Sequence, residues 1–230
     1  MTSEEILKEV KGIFGRKWTP RVGRTVPDTD GITLGNDAVT LMGTVLYADM
    51  ADSTELVDGF RPWFAAEVYK AYLLGACRVI RNQGGEITAF DGDRVMAVFL
   101  GSAKNTSAAK AGLQINFLCT KINEILATTY PTTAYKLRQS VGIDTSELFV
   151  AKTGIRNAND LVWVGRAANY AAKLSAIKEE GYATYITDDV YKMLHQDSKL
   201  GGPHKTPMWE ERIWQERQVK IHRSSWWWTI

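Results

Sequence analysis

Cysteine and histidine are scarce in this sequence, and long apolar runs are missing. The 230 residues include two cysteines and three histidines. Two cysteines do not make a disulfide-rich secreted scaffold, so we expect small buried thiols in a reducing compartment. The histidines come late in the chain and form no pattern typical of a nucleophilic triad. No run reaches the roughly 20 apolar residues that cross a bilayer, and the charged N-terminus is not a secretory signal, so we expect a soluble cytoplasmic protein.

An excess of charge of one sign is missing as well. Basic residues number 28 and acidic residues 26, which leaves a formal net charge of +2. This balance argues against a long polyanion such as nucleic acid as the partner. The length and the hydrophobic share of 45% predict one well-buried domain with appendages rather than two domains.

Hydrophobic periodicity and capping residues predict a mixed chain of helices and strands. The predicted helices span 2–15, 52–83, 106–127, 166–180 and 188–195. The predicted strands span 40–48, 86–90, 94–100, 136–144, 147–153 and 184–187, and a hairpin follows Met208. This order predicts an α+β fold, with an antiparallel sheet backed by helices as in ferredoxin-like palm domains. We divide the chain into an N-terminal helix and extended arm (1–37), a main catalytic domain (38–195) and a C-terminal hairpin that completes it (196–230).

Two carboxylates, Asp49 and Asp93, each stand at the end of a strand-like apolar run. The turn at Gly92 predicts a tight hairpin that places Asp93 beside the end of the first strand. Two buried carboxylates repel unless a divalent cation holds them, which is the arrangement that two-metal nucleotidyl transfer requires. The candidate metal ligands are therefore Asp49, the Met50 carbonyl and Asp93. Taken singly, Asp49 could be a helix cap and Asp93 a turn residue, while Asp91 is a weaker third ligand or a turn-former.

The loop after Asp49 leads directly into a predicted helix. Ser53 and Thr54 stand at its start, where free backbone N–H groups and the helix dipole suit a triphosphate. Strand, acid and phosphate-binding loop thus follow one another in the order that nucleotidyl chemistry needs.

Four ordered segments between residues 40 and 190 resemble the class III nucleotide cyclases. They read Leu-Tyr-Ala-Asp-Met-Ala-Asp-Ser-Thr, Gly-Gly-Glu-Ile-Thr-Ala-Phe-Asp-Gly-Asp-Arg-Val-Met-Ala-Val-Phe, Val-Gly-Ile-Asp-Thr-Ser and Val-Gly-Arg-Ala-Ala-Asn-Tyr-Ala-Ala-Lys-Leu. The resemblance implies a head-to-tail homodimer with two composite sites, each using two Mg²⁺ or Mn²⁺ ions held by the aspartates of one protomer. Asn169 and Lys173 of the other protomer match the residues that orient the ribose and stabilise the α-phosphate. Lys173 replaces the arginine that is usual in the family and loses its bidentate geometry, and a solvated helix lysine is the alternative.

The positions that read a purine base are apolar in this sequence. Ala89 and Val162 stand where purine cyclases usually carry a lysine and an aspartate or threonine, and neither side chain can hydrogen-bond a base edge. The sequence therefore resembles the pyrimidine cyclases of Pycsar antiphage defence. That resemblance implies cyclic UMP or cyclic CMP as the product and a separate cyclic-nucleotide-responsive effector protein as its target. UTP is favoured over CTP because no acidic side chain is evident to accept from a cytosine amino group.

Three further residues are candidates for nucleotide contacts. Tyr47 shares the strand face of Asp49, and it either stacks on a small base or is an ordinary core aromatic. Arg94 is a phosphate contact or a structural ion-pair partner. Lys220, in the predicted tail hairpin, is a weaker triphosphate candidate.

Three other functions stay open from the sequence. A purine cyclase would need an unusual way of reading the base. A cyclic-dinucleotide synthase would share the palm fold, but Gly84-Gly85-Glu86 follows a helix instead of lying in the hairpin turn, where such a motif belongs. A catalytically silent nucleotide sensor is compatible with the apolar base positions but has no reason to keep two repelling acids. The tryptophans at 226–228 either bind a membrane interface or, as we favour, pack against the domain or dimer edge.

Overall fold

A central mixed sheet organises the molecule in the computed structural model, which describes all 230 residues. Its nine strands are β1 Thr19–Val22, β2 Asp37–Ala51, β3 Glu86–Asp91, β4 Arg94–Phe99, β5 Arg138–Ile155, β6 Ala158–Val164, β7 Thr184–Thr187, β10 Glu210–Trp214 and β11 Val219–Ser224. A separate two-stranded sheet consists of β8 Leu200–Gly201 and β9 Thr206–Pro207. The helices are α1 Ser3–Gly15, α2 Ser53–Gly59, α3 Pro62–Asn82, α4 Lys104–Thr129, α5 Arg166–Ser175 and α6 Asp188–Lys192, with a 3₁₀ turn at Gln196–Ser198.

The strand order of the main sheet is β10-β11-β7-β5-β2-β4-β3, with β1 paired to β2 and β6 paired to β5. The predicted α+β fold is confirmed. Two pairs are parallel, β1 with β2 and β5 with β7, and the others are antiparallel. The strands β2 and β5 lie at the centre of the sheet. A side chain at the C-terminal end of β2 is therefore flanked by β5 on one side and by β4 on the other.

The two faces of the sheet bury separate cores. One face packs under α3 and α4 in a cluster of 30 buried residues, and the other packs under α5 in a cluster of 11. Side chains along β2 point alternately to the two faces, and Leu46, Ala48 and Met50 lie in the larger cluster. Val45 and Tyr47 face the smaller cluster. Asp49 follows Tyr47 by two residues, so its carboxylate lies on the α5 face.

Several predicted elements have different bounds in the structure. The single helix predicted from residue 52 is wrong, because α2 ends at Gly59 and α3 begins at Pro62. Proline lacks the N–H and fixes φ, so it begins a helix easily and interrupts one that arrives from upstream. The strands predicted at 136–144 and 147–153 are one long strand, β5. Its partner β6 was not predicted, and α5 and α6 end earlier than expected, at Ser175 and Lys192.

Other predicted elements are confirmed. The helix α1 begins after Thr2, whose side chain forms a capping box with Glu5. The hairpin of β3 and β4 turns at Gly92, where φ is +62° and glycine carries no steric penalty. The tail hairpin of β10 and β11 pairs antiparallel and joins the main sheet through β7.

The C-terminal tryptophans pack on α4. The Trp228 N–H donates to the Leu113 carbonyl at 3.2 Å, and the rings of Trp227 and Phe117 lie 5.5 Å apart. The prediction that this segment packs against the domain is therefore confirmed. No helix of the structure is both long enough and apolar enough to cross a membrane.

Candidate active site

The structure brings the two predicted carboxylates together. Asp49 lies near the C-terminal end of β2, opposite Arg94 of β4 and Ser140 of β5. Asp93 directly precedes Arg94, in the turn of the β3–β4 hairpin. Burial raises the pKa of Asp49, and the charge of Asp93 raises it further, against the opposing effect of Lys178. The negative charge of Asp93 therefore acts on Asp49, and such repulsion is costly without a cation.

One oxygen of Asp93 is buried without a partner. Its Oδ2 has no hydrogen-bond partner in the structure. A desolvated carboxylate oxygen with no donor carries a penalty that a bound cation would remove. This oxygen is the strongest sign that the hairpin turn holds a ligand.

Asp49, Met50 and Asp93 form a corner of the sheet whose oxygen donors suit magnesium or manganese. It contains two carboxylates and the Met50 carbonyl. Nowhere in the structure do three or more His, Cys, Asp or Glu side chains group together to enclose a metal by themselves. Mg²⁺ is commonly bound through one or two carboxylates, with waters and substrate phosphates completing its octahedron. The residues present therefore fit a metal that is shared with a nucleotide, and they do not fit a closed structural site.

A residue that the sequence did not single out, Lys178, contacts the same oxygens. Its Nζ lies 2.9 Å from Asp49 Oδ2, 3.1 Å from the Met50 carbonyl oxygen and 3.5 Å from the Asp49 carbonyl oxygen. Lys178 follows α5 and is far from β2 in the chain, so no local pattern could have indicated this contact. As one of 28 basic residues, Lys178 could not be distinguished from the others by its residue type.

The start of α2 lies next to the carboxylates. Asp52 adopts a left-handed conformation with φ of 60° and makes no side-chain cap, so it does not satisfy the N–H groups of the first turn. Ser53 is half-buried and Thr54 is exposed. Arg138 is the first residue of β5 and stands opposite Ala51, and its guanidinium lies 3.5 Å from Asp52 Oδ2. Arg138 is a second cation near the predicted phosphate loop that sequence reasoning missed.

Tyr47 and Ala89 lie on the face that carries Asp49. Both stand opposite Met96 across neighbouring strands, and both pack against the smaller core cluster. Burial raises the pKa of the Tyr47 hydroxyl. The guanidinium of Arg94 lies 5.6 Å from the centre of the Tyr47 ring and forms an ion pair with Asp91. Arg94 therefore has the structural partner that the sequence left as one of two alternatives.

Val162 is not brought to this corner. It lies on β6 opposite Ala151 of β5, whereas Asp49 lies opposite Ser140 of β5. At about 3.3 Å per residue these two points are separated by roughly 36 Å of strand. Ala89 and Val162, the two positions matched to base-reading residues, therefore lie in different parts of the sheet, because Ala89 is in the row of Met96 and Tyr47.

Asn169 and Lys173 stand one turn apart on α5, and both are exposed. Gly142 of β5 lets α5 approach, because a Cβ atom there would lie 2.1 Å from the Ala171 carbonyl oxygen. The exposed side of α5 is thus a rigid surface that presents an amide and an ammonium.

A buried carboxylate fixes the start of α5. Asp144 accepts from the Thr187 hydroxyl at 2.6 Å and from Arg166 Nε at 3.0 Å, and Arg166 also reaches Asp189 at 2.6 Å. Burial raises the pKa of Asp144, and the hydrogen bond from Thr187 and the charge of Arg166 oppose the rise. This network gives the Val-Gly-Ile-Asp segment a structural role in seating α5.

Lys220 lies on β11, three strands from β2, and pairs with Glu211 at 2.9 Å. It is distant from the carboxylates of its own protomer.

Comparison with known proteins places the fold and the sequence among nucleotide cyclases. No protein-family model matches the chain. It is 47% identical over 233 residues to a uridylate cyclase of Xanthomonas perforans, covering 99% of this chain and 98% of the relative. A uridylate cyclase of Burkholderia cepacia is 43% identical over 230 residues, with 99% of each chain covered. The crystal structure of the adenylyl cyclase CyaB from P. aeruginosa matches with a TM-score of 0.66 over 81% of this chain and 95% of that chain, at 20% identity.

Proposed function

This chain belongs to the uridylate cyclases, nucleotide cyclases with the class III fold, and we propose that it converts UTP to 3′,5′-cyclic UMP and pyrophosphate. The observation that carries this proposal is the donor set of Asp49, the Met50 carbonyl and Asp93, with one buried oxygen unpaired. A protein that only binds a nucleotide gains nothing from two adjacent carboxylates without a cation.

Each group of the corner has a part in the reaction. Bound Mg²⁺ or Mn²⁺, two ions in each site, would acidify the ribose 3′-hydroxyl and neutralise charge on the phosphates. Asp49 and Asp93 would hold these ions in place. The first turn of α2, at Ser53 and Thr54, offers uncapped N–H groups to the departing pyrophosphate. No side-chain general base is required for the 3′-hydroxyl to attack the α-phosphorus in line.

We place the other half of the site on a second copy of the chain. Val162 is roughly 36 Å along β5 from the point opposite Asp49, so it is remote from the carboxylates of its own protomer. A homodimer with a two-fold axis supplies each residue to each of two sites. In that arrangement Asn169 orients the ribose and Lys173 stabilises the α-phosphate, and Lys220 would be available only from the second copy.

The base pocket favours a pyrimidine through size and polarity. Tyr47 projects from the strand that carries Asp49, and Ala89, which lies in the same row two strands away, brings no polar group. A site without polar readers discriminates poorly between bases by hydrogen bonding, so the ring of Tyr47 sets the space that is left for the base. A single pyrimidine ring needs less of that space than a purine.

We extend the proposal to the use of the product. Cyclic UMP would act as a second messenger for a separate effector protein in antiphage defence. The support is the likeness of the sequence to the uridylate cyclases.

Product analysis tests the proposed reaction. Purified protein is incubated with ATP, GTP, CTP and UTP in turn with Mn²⁺, and the products are separated by chromatography. We expect cyclic UMP from UTP and pyrophosphate in equal amount, and a cyclic product from another nucleotide in preference to UTP would contradict the substrate.

Asp93→Asn is the matched inactive variant. It keeps the shape of the side chain and removes the charge, so it should form no product. Because the buried charge is unpaired, its melting temperature should not fall below that of the wild type. Substantial turnover at saturating Mn²⁺ would contradict the metal-ligand role.

A further inference from the structure

Lys178 holds a position that the proposed function leaves unexplained. Its ammonium contacts the Asp49 carboxylate and the Met50 carbonyl, which are the oxygens assigned above to a metal ion. The side chains of Lys178 and Asp49 are 26% and 16% exposed, so most of this ion pair is shielded from water.

The backbone builds this position. After α5, the N–H of Ala176 donates to Lys173 and the N–H of Ile177 donates to Leu174, which continues the turn up to Lys178. Ile177 packs against the small cluster that contains Leu174. Lys178 is therefore delivered to the carboxylates by an anchored turn, and only its flexible side chain has to move to leave them.

Lys178 is a partner for only one of the two carboxylates. Asp49 has the ammonium as a partner, while Asp93 Oδ2 has none. A purely structural ion pair has no reason to leave the adjacent carboxylate unpaired. Lys178 is the cation in hydrogen-bond contact with these oxygens, while the nearby Arg94 forms its ion pair with Asp91. Two carboxylates attract a divalent ion more strongly than a single ammonium.

We propose that Lys178 is the resident cation of the metal-free site, and that it is displaced when a divalent ion binds to Asp49 and Met50. Metal binding is then an exchange of one cation for another. Lys178 acts as a positioning residue, which keeps the end of β2 in its binding conformation while the metal is absent. The inference rests on the metal ligands of the proposed function.

The exchange has two measurable consequences. Lys178 competes with the metal, so the apparent metal affinity is reduced by the fraction of sites in which the ammonium is in place. Lys178 also offsets the charge of the carboxylates, so its loss should lower the stability of the metal-free protein more than that of the metal-bound protein.

The test compares Lys178→Met with wild type, because methionine keeps most of the side-chain length without the charge. Free Mn²⁺ is followed by electron paramagnetic resonance during titration, and melting is measured with and without Mn²⁺. We expect the Mn²⁺ dissociation constant of the variant to fall on the order of tenfold. Its metal-free melting temperature should fall, and Mn²⁺ should restore more of it than in the wild type.

Two further variants make the result specific. Lys178→Arg keeps the positive charge and should bind Mn²⁺ no more tightly than wild type. Lys121→Met removes an exposed lysine of α4 that pairs only with Glu124, and it should change neither measurement.

The outcomes separate this inference from the proposed function. If wild type binds Mn²⁺ and folded Lys178→Met binds it equally or more weakly, the exchange is wrong and the metal site stands. If wild type binds no Mn²⁺, or binds it equally well as Asp49→Ala, both the exchange and the metal-ligand assignment are wrong.

Discussion

Asp49 and Asp93 form a pair of neighbouring carboxylates, of which only Asp49 is in contact with the ammonium of Lys178. The proximity of the two aspartates could be predicted, because a strand end and a tight hairpin are both local patterns in the sequence. Lys178 could not be predicted, because its contact with Asp49 depends on where α5 ends and how it crosses the sheet. Charged contacts between distant segments leave no periodic signal in a single sequence.

The same limit applies to the residues that were assigned a role by their match to motifs. Asn169, Lys173, Ala89 and Val162 were identified by position within motifs, and their roles stay predictions. The structure adds that the two α5 residues are exposed and that Ala89 and Val162 lie far apart. The residues that the motifs assign to one site therefore lie in separate parts of a single protomer.

Asp188 gives a test of the electrostatics around α6. Burial favours a higher pKa, but the hydrogen bonds from His222 and Lys192 outweigh it and leave the pKa of Asp188 below its usual value of 3.8. Because the folded state favours the carboxylate, its stabilisation is present above about pH 5 and is lost as the pH falls through the folded-state pKa. Asp188→Asn should therefore cost about 1 kcal/mol of unfolding free energy near neutral pH.

Urea unfolding of wild type and Asp188→Asn at a series of pH values checks this expectation. The difference in unfolding free energy between the two proteins should shrink as the pH falls from about 6 to about 3. A difference that grows on acidification would show that His222 and Lys192 do not hold the carboxylate in its charged form.

At the scale of elements, predictions were best where a pattern is local and strong. The capped helix α1, the β3–β4 hairpin and the tail hairpin were all predicted, because each carries its own turn or cap residues. The break between α2 and α3 was missed because the apolar periodicity continues across it, although Pro62 marks it. The long strand β5 was divided in two because polar and small residues interrupt its apolar pattern where it is covered by α5 and α6.

The contact between α5 and β5 depends on the absence of a side chain at Gly142. A Cβ atom there would meet the Ala171 carbonyl oxygen at 2.1 Å and the Ser175 nitrogen at 2.4 Å, both of which are backbone atoms that cannot rotate away. Gly142→Ala should therefore push α5 off the sheet, lower the unfolding free energy by about 1–3 kcal/mol and reduce cyclase activity. Activity should fall because α5 carries Asn169, Lys173 and the turn to Lys178.

Gly12→Ala is the matched control, because Gly12 lies inside α1 with no atom within 4 Å of a new Cβ. Alanine favours the helix there, so stability should stay equal or rise slightly. Thermal melts and initial rates of product formation for both variants check the prediction. Wild-type stability and activity for Gly142→Ala would mean that α5 does not need this close approach.

At the scale of the whole molecule, the α+β fold followed from the order of elements, while the exact sheet order did not. The parallel pairing of β7 with β5 arises from long-range packing that sequence periodicity does not encode. In contrast, β6 forms a local hairpin with β5, in which Ile155 pairs with Ala158 across a two-residue turn. The two-faced core has a functional consequence, because it places the carboxylates and α5 on the same side of the sheet. The exposed surface of α5 is then available to a second copy.

The central claim is that each active site combines Asp49 and Asp93 of one protomer with Asn169 and Lys173 of another. Mixing Asp93→Asn with Asn169→Ala, two variants that should each be inactive alone, tests it most directly. In a mixed dimer one site has both defects and the other has none. After subunit exchange of equal amounts, we predict that cyclase activity returns to about one quarter of the wild-type value. Activity that stays absent although mixed dimers have formed would contradict a site shared between two protomers.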